Sequence, residues 1–348
     1  MMRLPYFTFR SPRSVREAAE LLASSQPGDA MLVAGGTDLL PNMKRRQQVP
    51  RTLIGLRRVA ELRGISHATG LTIGAGVTLT ELVRDIRFRQ DGGQVSGPYG
   101  ALWQAASQVA TPHLRNMGTI GGNLCLDTRC NYYDQNYEWR KAIDFCMKKD
   151  GATCWVATSS PRCLAVSSTD TAPALIALGG EVTLASATAA RRILVTALFQ
   201  NDGIHYLTRR ADEILTSVHV PQLDGWRSAY WKLRRRGSFD FPVLSVAAAA
   251  RLTGDGAVAD ARIVLGAVAS RPVEAPEAAA ALIGRPLSDA AISDAAERTA
   301  RPARPMDNTD FTLLWRKRVT RDFVTYALRE LRGDDMRETR RKVARVLL

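Results

Sequence analysis

The chain has 348 residues, 45% of them apolar and 24% charged, a composition that argues against disordered and fibrous classes and a length that predicts two or three domains. No run of eighteen apolar residues could span a bilayer, and the first ten residues hold no apolar stretch of signal-peptide length, so a cytoplasmic protein with no membrane contact is expected. The formal charge of +14 favours acidic partners, but no zinc-finger spacing, RNA-recognition signature or basic-zipper heptad accompanies it, which argues against nucleic acid.

In chain order, Ser14 and Glu17 predict a capping box that opens an Ala/Leu-rich helix ending near Ala23. Residues 30–34 read as a strand, stopped by Gly35-Gly36-Thr37-Asp38, and residues 52–56 as another, giving a small strand-turn-helix-strand unit. Residues 71–76 predict a strand, Thr80 onward a helix, and residues 101–109 an alanine-rich helix that Pro112 prevents from continuing. Residues 172–178 are helical in character, 181–184 and 213–220 read as strands, and 222–225 as a linker. Strands are expected at 228–233, 245–252 and 261–265, with helices at 275–283, 287–298 and 311–331. Eleven Lys/Arg face five Asp/Glu over residues 316–345, read as a solvated basic helix and tail. The expected boundaries are 1–57, 58–224, 225–332 and a tail at 333–348.

Two glycine-rich runs stand out. Val33-Ala34-Gly35-Gly36-Thr37-Asp38-Leu39 places two glycines and a hydroxyl directly after a strand, where backbone N–H groups can meet phosphate oxygens. It lacks the third glycine of the dinucleotide fingerprint, and a plain tight turn explains it equally well. Thr111-Pro112-His113, followed by Gly118-Thr119-Ile120-Gly121-Gly122-Asn123, is the second. Two such loops point to a large ligand with several polar anchors, while His113, with no carboxylate or nucleophile beside it, reads as structural. Asp170 reads as a helix N-cap and Lys232 as a surface strand lysine, each with a possible role beside a bound ligand.

All five cysteines, Cys125, Cys130, Cys146, Cys154 and Cys163, fall within thirty-nine residues. In a reducing compartment such clustering suggests metal binding or reactivity rather than disulfides. Without a close pair, the spacing alone leaves zinc, an iron–sulfur cluster and unliganded thiols open. Four thiolates complete a cluster, which would leave one spare, and Cys125, joined to the glycine run, is the expected odd one.

Taken together, the 33–39 and 118–124 runs, Asp170 with Ala172-Pro173-Ala174-Leu175, Glu213-Ile214-Leu215, and Tyr230-x-Lys232 with Asp240-Phe241-Pro242 resemble the FAD-binding subunits of the molybdenum hydroxylase (xanthine oxidase) family, from residue 5 to about 330. The resemblance implies an α+β fold: a two-lobed FAD-binding domain of the PCMH type and a smaller α+β C-terminal domain of the CO dehydrogenase flavoprotein type. It implies an oxidoreductase subunit with FAD as cofactor and no catalytic residue of its own, partnered by a molybdopterin-binding alpha subunit and a [2Fe–2S] gamma subunit in a dimer of heterotrimers. By motif matching, Gly35, Gly36, Thr37 and Asp38 with Gly118, Thr119, Gly122 and Asn123 would hold the FAD pyrophosphate. Asp170, Leu215 and Lys232 would lie near the isoalloxazine, and Val33, Ala34, Leu39, Thr111, His113 and Gly121 would complete the surface.

About forty residues separate the second glycine run from Asp170 where most family members have a short connection. The texture of that insertion, Thr128-Arg129-Cys130 through Trp139-Arg140 and Cys146-x-Lys148 to Arg162-Cys163, is similar to the 4-hydroxybenzoyl-CoA reductase branch. That likeness implies a [4Fe–4S] cluster on Cys130, Cys146, Cys154 and Cys163 and ferredoxin as electron donor. Arg140, Lys141, Lys148, Lys149 and Arg162 would then form a basic docking face for it. An aldehyde or N-heterocycle dehydrogenase subunit is the alternative within the family. A non-enzymatic zinc- or nucleic-acid-binding protein is the alternative outside it.

Overall fold

A computed structural model describes residues 3–85 and 97–345; Met1, Met2 and the last three residues of the expected tail lie outside them. The first unit runs β1 (Thr8–Arg10), α1 (Val15–Ala23), β2 (Ala30–Val33), α2 (Leu39–Lys44) and β3 (Thr52–Gly55), with a parallel sheet in the order β1-β3-β2. The Ser14 hydroxyl caps α1 by accepting from Glu17 N at 3.1 Å, but the Glu17 carboxylate accepts from Arg13 N at 2.8 Å, one residue short of a full capping box. Ala18, Ala19 and Leu22 form the buried face of α1 against Ala30 and Ile54.

The second unit begins with β4 (Ile65–Ser66), β5 (Leu71–Gly74) and α3 (Leu79–Arg84), where Thr78 and Glu81 do close a complete capping box. It continues through α4 (Gly100–Ser107), α5 (Pro112–Arg115) and α6 (Ile120–Leu124), with α7 (Tyr137–Ala142) inside the cysteine loop. Then come α8 (Thr171–Ala177), β6 (Glu181–Ala185), β7 (Ala190–Leu194) and β8 (Ile214–Val220). Its antiparallel sheet has the order β4-β5-β8-β6-β7. Along β6 the buried residues alternate, Val182 and Leu184 inward, as the sequence pattern predicts. Pro112 does more than stop a helix: α4 already ends at Ser107, and the proline opens α5 at a position whose N–H would be unsatisfied anyway.

The third unit holds β9 (Trp226–Leu233), β10 (Leu244–Leu252), β11 (Val258–Gly266) and β12 (Val273–Glu274), antiparallel in the order β12-β11-β10-β9. After it come α9 (Pro276–Ala280), α10 (Asp289–Arg298), α11 (Leu313–Arg332) and α12 (Arg337–Arg345). Strand β10 is buried on both faces: Ala247 and Ala249 join the core of the second unit, while Val246, Ala248 and Ala250 pack with the helices that follow. Small side chains on both faces let two layers approach one sheet, which is why this stretch reads as a continuous apolar run rather than as an alternation. The expected basic face is partly internal. Arg316 is fully buried and donates to the Val243 carbonyl at 2.9 Å and the Met306 carbonyl at 2.8 Å, and burial pushes its guanidinium down to about 10. The tail is docked, with Met336 buried and the Arg340 guanidinium 4.1 Å from the centre of the Trp231 ring. Among the described residues, no helix is long and apolar enough to cross a membrane.

Candidate functional site

A cavity of about 420 Å³ lies where the first two units meet, with Phe239, Asp240 and Phe241 of the third at its edge. Its walls include all of residues 33–39 and also Gly118, Thr119, Gly121, Gly122, Asn123, Asp170 and Leu215. The first glycine turn enters from the end of β2. Gly36 has a φ of 70°, the left-handed region that a side chain disfavours, and a Cβ on Gly35 would collide with the Met117 carbonyl oxygen. Gly35 lets the 35–39 turn lie hard against the 117–118 backbone, and Gly36 lets the chain reverse there. Among the described residues, the backbone N–H groups of Gly36, Thr37, Asp38 and Leu39 donate to no protein acceptor. Four free donors on a glycine turn make a concavity suited to phosphate oxygens, so the cavity fits the diphosphate of a dinucleotide.

The second turn lies under α3. Gly118 N donates to Leu114 O at 2.7 Å, Ile120 N to Val77 O and Gly121 N to Ala75 O, both at 3.0 Å, and the Thr119 hydroxyl accepts from Gly122 N at 3.0 Å. Asn123 Oδ1 accepts from Thr171 N and from the hydroxyls of Thr169 and Thr171 at 2.7 to 3.1 Å, which fixes the second turn to the start of α8.

Three expected contacts lie elsewhere. Thr111 caps α5, accepting from Leu114 N at 3.4 Å, and His113 is exposed on that short helix; neither lines the cavity. Lys232 is fully buried behind the wall, its ammonium 3.0 Å from the Asp170 carboxylate and 3.0 Å from Gln108 O. Tyr230 donates to the same carboxylate at 2.7 Å. Asp170 therefore presents the cavity wall with its charge already engaged, and its side chain makes no N-cap bond. Burial pushes the Asp170 carboxyl up and the Lys232 ammonium down, each opposed by the charge of the other.

Arg129 enters the sequence reading only through the Thr128-Arg129-Cys130 likeness of the insertion, with no role at the cavity. This buried side chain donates to Asp38 and, at 3.1 Å, to Asn42 Oδ1, and it lies over the Phe241 ring at 4.7 Å. An arginine within a cysteine-rich run obeys no spacing rule, so only the fold joins the cysteine loop to the first glycine turn. Tyr206, Arg209 and Phe239 also line the cavity without any motif to announce them.

The cysteine loop folds back on itself, with Arg129 bridging to Val166. Cys130, Cys146, Cys154 and Cys163 are each at most 7% exposed, and none forms a disulfide. Burial pushes the Cys130 thiol up to about 12, with Cys163, Cys146 and Cys154 adding to the rise, and the Cys163 thiol up to about 11. Cys130, Cys146 and Cys163 pack in one buried cluster with Tyr133 and Ala165, and Cys154 adds its charge to those acting on Cys130 and Cys163. Cys125 stands apart: it closes α6 and lines the larger cavity. Among the described residues, no three His, Cys, Asp or Glu side chains are arranged to hold a metal ion. The donor chemistry, four buried sulfurs with no imidazole, suits iron–sulfur ligation, and two further features support that fit. Ala165 N donates to Cys163 Sγ at 3.4 Å, and Arg140, fully buried beside Phe145 and Asp150, has all three guanidinium nitrogens without a hydrogen-bond acceptor.

The basic docking face is corrected for two of its five residues: Arg140 is wholly internal, and the Lys148 side chain is nearly covered, bonded to Asp127 at 2.8 Å, Thr128 Oγ1 at 2.7 Å and Gly203 O at 2.6 Å, while Lys141 is exposed and Lys149 and Arg162 are half-buried. The Arg140 and Lys148 charges serve the inside of the loop, so neither can meet a partner's surface.

Fold and cavity together define a flavin-binding subunit with two lobes and an α+β appendage. Residues 5–223 match the FAD binding domain in molybdopterin dehydrogenase, and residues 228–331 match the CO dehydrogenase flavoprotein C-terminal domain. The chain belongs to this molybdenum hydroxylase and CO dehydrogenase family of FAD-binding oxidoreductase subunits. Among its relatives, the aldehyde oxidoreductase FAD-binding subunit PaoB of Escherichia coli is 33% identical over 78% of this chain and 85% of its own length. The nicotinate dehydrogenase FAD-subunit of Eubacterium barkeri is 28% identical over 81% of each. A solved structure of carbon monoxide dehydrogenase from Hydrogenophaga pseudoflava superposes with a TM-score of 0.74 at 26% identity, covering 94% of this chain and 97% of that one.

Proposed function

We propose that this chain is the FAD- and [4Fe–4S]-carrying electron-transfer subunit of a molybdenum-containing reductase of the 4-hydroxybenzoyl-CoA reductase kind. In this reading it joins a molybdopterin subunit and a [2Fe–2S] subunit in a dimer of heterotrimers, with ferredoxin as donor, and the organic substrate is transformed on the molybdopterin subunit. The supporting observation is that Cys130, Cys146, Cys154 and Cys163 are all buried, the first two and Cys163 in one packed cluster, while Cys125 lines the cavity instead. Four buried thiols and no imidazole are the donor set that an iron–sulfur cluster takes.

When bound, FAD and the cluster supply one- and two-electron transfer; the protein supplies position and charge. The free N–H groups of residues 36–39 would take the flavin diphosphate. Arg129, bonded to Asp38, would offset that carboxylate's negative charge beside the phosphate. Lys232 and Tyr230, behind the cavity wall, would keep the Asp170 carboxylate in that wall charge-balanced. The guanidinium of Arg140 would offset the negative charge of four thiolates.

The test is residue-specific. Cys130→Ser in the anaerobically purified protein is expected to lose iron and the broad absorption near about 400 nm that iron–sulfur clusters give while keeping FAD; Cys125→Ser is expected to keep both. Iron lost from Cys125→Ser instead would redraw the ligand set, and a colourless zinc protein would end this reading. A second reading changes only the substrate, to an aldehyde or an N-heterocycle, and it is favoured by the names of the aldehyde and nicotinate relatives. Turnover of 4-hydroxybenzoyl-CoA against an aromatic aldehyde and nicotinate by the assembled complex separates the two.

A further inference from the structure

A second cavity, of about 530 Å³, lies on the other side of the cysteine loop, where residues 162–164 meet the 269–278 segment and the turn that follows α10. Five arginines line it, Arg162, Arg271, Arg298, Arg301 and Arg304, against one acidic residue, Glu277. Arg298 is engaged by Asp294 at 2.8 Å and Arg301 by Glu277 at 3.0 Å. Among the described residues, no protein acceptor meets the side chains of Arg162, which is half-buried, or of Arg271 and Arg304, which are exposed. Like charges brought to one concave wall repel one another, so the cluster attracts an anion of more than one charge.

Asn308 gives a second, independent indication. It lines the same cavity, is 2% exposed, and donates through Nδ2 to Leu164 O at 2.6 Å. That bond to a carbonyl fixes the orientation of the amide, so Oδ1 is the atom left over, and it is buried with no donor. A buried acceptor without a partner costs free energy unless a ligand supplies an N–H or O–H. An inorganic anion would satisfy the arginines and leave Asn308 unsatisfied.

We propose that this cavity binds a small phosphorylated molecule of the nucleoside diphosphate class, its phosphates held by the unpaired guanidiniums of Arg162, Arg271 and Arg304 and an N–H or O–H of its remainder by Asn308 Oδ1. The volume lies within the range of small-molecule sites, and the concave shape favours a small ligand over a protein surface. The planar five-donor guanidinium is the side chain suited to forked phosphate contacts. The site is tied to the cysteine loop as well: Asn308 O accepts from Asn131 N at 3.0 Å, and Leu164 O accepts from Asn308 Nδ2, next to Cys130 and Cys163 respectively. Occupancy would therefore be felt on both sides of the loop, whatever group the loop carries.

The test is calorimetric titration of the full-length, FAD-saturated chain with ADP, with inorganic pyrophosphate in a parallel arm; saturation with FAD keeps both probes out of the larger cavity. One ADP per chain is expected, bound more tightly than pyrophosphate, with slowed hydrogen exchange at the Asn131 amide. Arg271 and Arg304 are exposed, so Arg271→Ala/Arg304→Ala should fold normally and weaken ADP by about tenfold or more for each guanidinium removed. Absence of binding at millimolar ADP, or an affinity unchanged in the double variant, would overturn the proposal. Pyrophosphate binding as tightly as ADP would overturn the role given to Asn308.

Discussion

In the 36–39 turn four consecutive backbone N–H groups lack any protein acceptor, whereas in the 118–123 turn nearly every N–H is already bonded to the protein. Both turns are glycine-rich, both follow the same compositional rule and both line the same cavity. Their glycines serve different ends. Gly35 lets the first turn press against Met117 so that its donors remain available, while Gly121 lets α6 press against Ala75, where a Cβ would come within 2.8 Å of the alanine methyl. In the proposed reading the first turn binds and the second holds the wall still. Glycine content marks close backbone approach; only the count of free donors tells what approaches.

Substituting the two turns separately tests this division. Gly35→Ala should have the largest effect, because its Cβ meets a carbonyl oxygen that cannot move without shifting the second turn. A destabilisation of about 1–3 kcal/mol is expected together with loss of most bound flavin. Gly122→Ala meets only the Thr119 hydroxyl, at 3.1 Å, and should keep its flavin. The ratio of flavin absorbance to protein, with thermal unfolding of each variant, reads both effects, and equal flavin loss from both variants would break the comparison.

Arg129→Met comes next. It removes the charged partner of Asp38 without touching a glycine, which turns a carboxylate loose beside the free donors of the first turn. A flavin affinity weakened by roughly tenfold is expected, the scale of one charge-assisted hydrogen bond, measured by quenching of flavin fluorescence on titration. Thr119→Val should be smaller and of the opposite kind: the loss of its bond to Gly122 N costs about 1 kcal/mol, as for other N-caps, and leaves flavin affinity unchanged.

How much of this was legible in the sequence depends on how local the cause is. The strand before Gly35, the cap at Ser14, the alternation of β6 and the isolation of Cys125 follow from neighbours within a few residues, and the sequence reading anticipates each of them. The pairing of Arg129 with Asp38, ninety-one residues earlier, and of Lys232 with Asp170, sixty-two residues earlier, depends on the packing of three units and leaves no periodic trace. Charge was the least legible property. Lys148, Arg140 and Arg316 look like solvated surface cations in a basic chain, yet the side chain of each is internal: distant carbonyls meet Lys148 and Arg316, and Phe145 of the same loop covers Arg140. The short strand β1 and the tail helix α12 have no expected counterpart: three residues are too few to show a period, and a charge-rich nine-residue segment reads as tail until Met336 and Arg340 are seen to dock.

The smallest effect concerns the support beneath the second turn. Thr78 forms a bridge with Thr119 and also caps α3, where Glu81 accepts from Thr78 N at 2.7 Å. That backbone bond holds the Glu81 carboxyl below its ordinary value of 4.5, with burial opposing it. A depressed carboxyl contributes stability that is fully present above its unfolded value and lost as the pH falls through the lower folded one. Glu81→Gln mimics the protonated acid, so the wild type should be the more stable at about pH 7 by less than about 1 kcal/mol, the scale of a single cap. The difference should vanish on acidification below the folded value. Chemical unfolding at the two pH extremes measures it. Because Glu81 supports the scaffolding turn and not the binding one, flavin affinity should be the same for both proteins at neutral pH, and a change there would mean that the second turn contributes donors to the flavin after all.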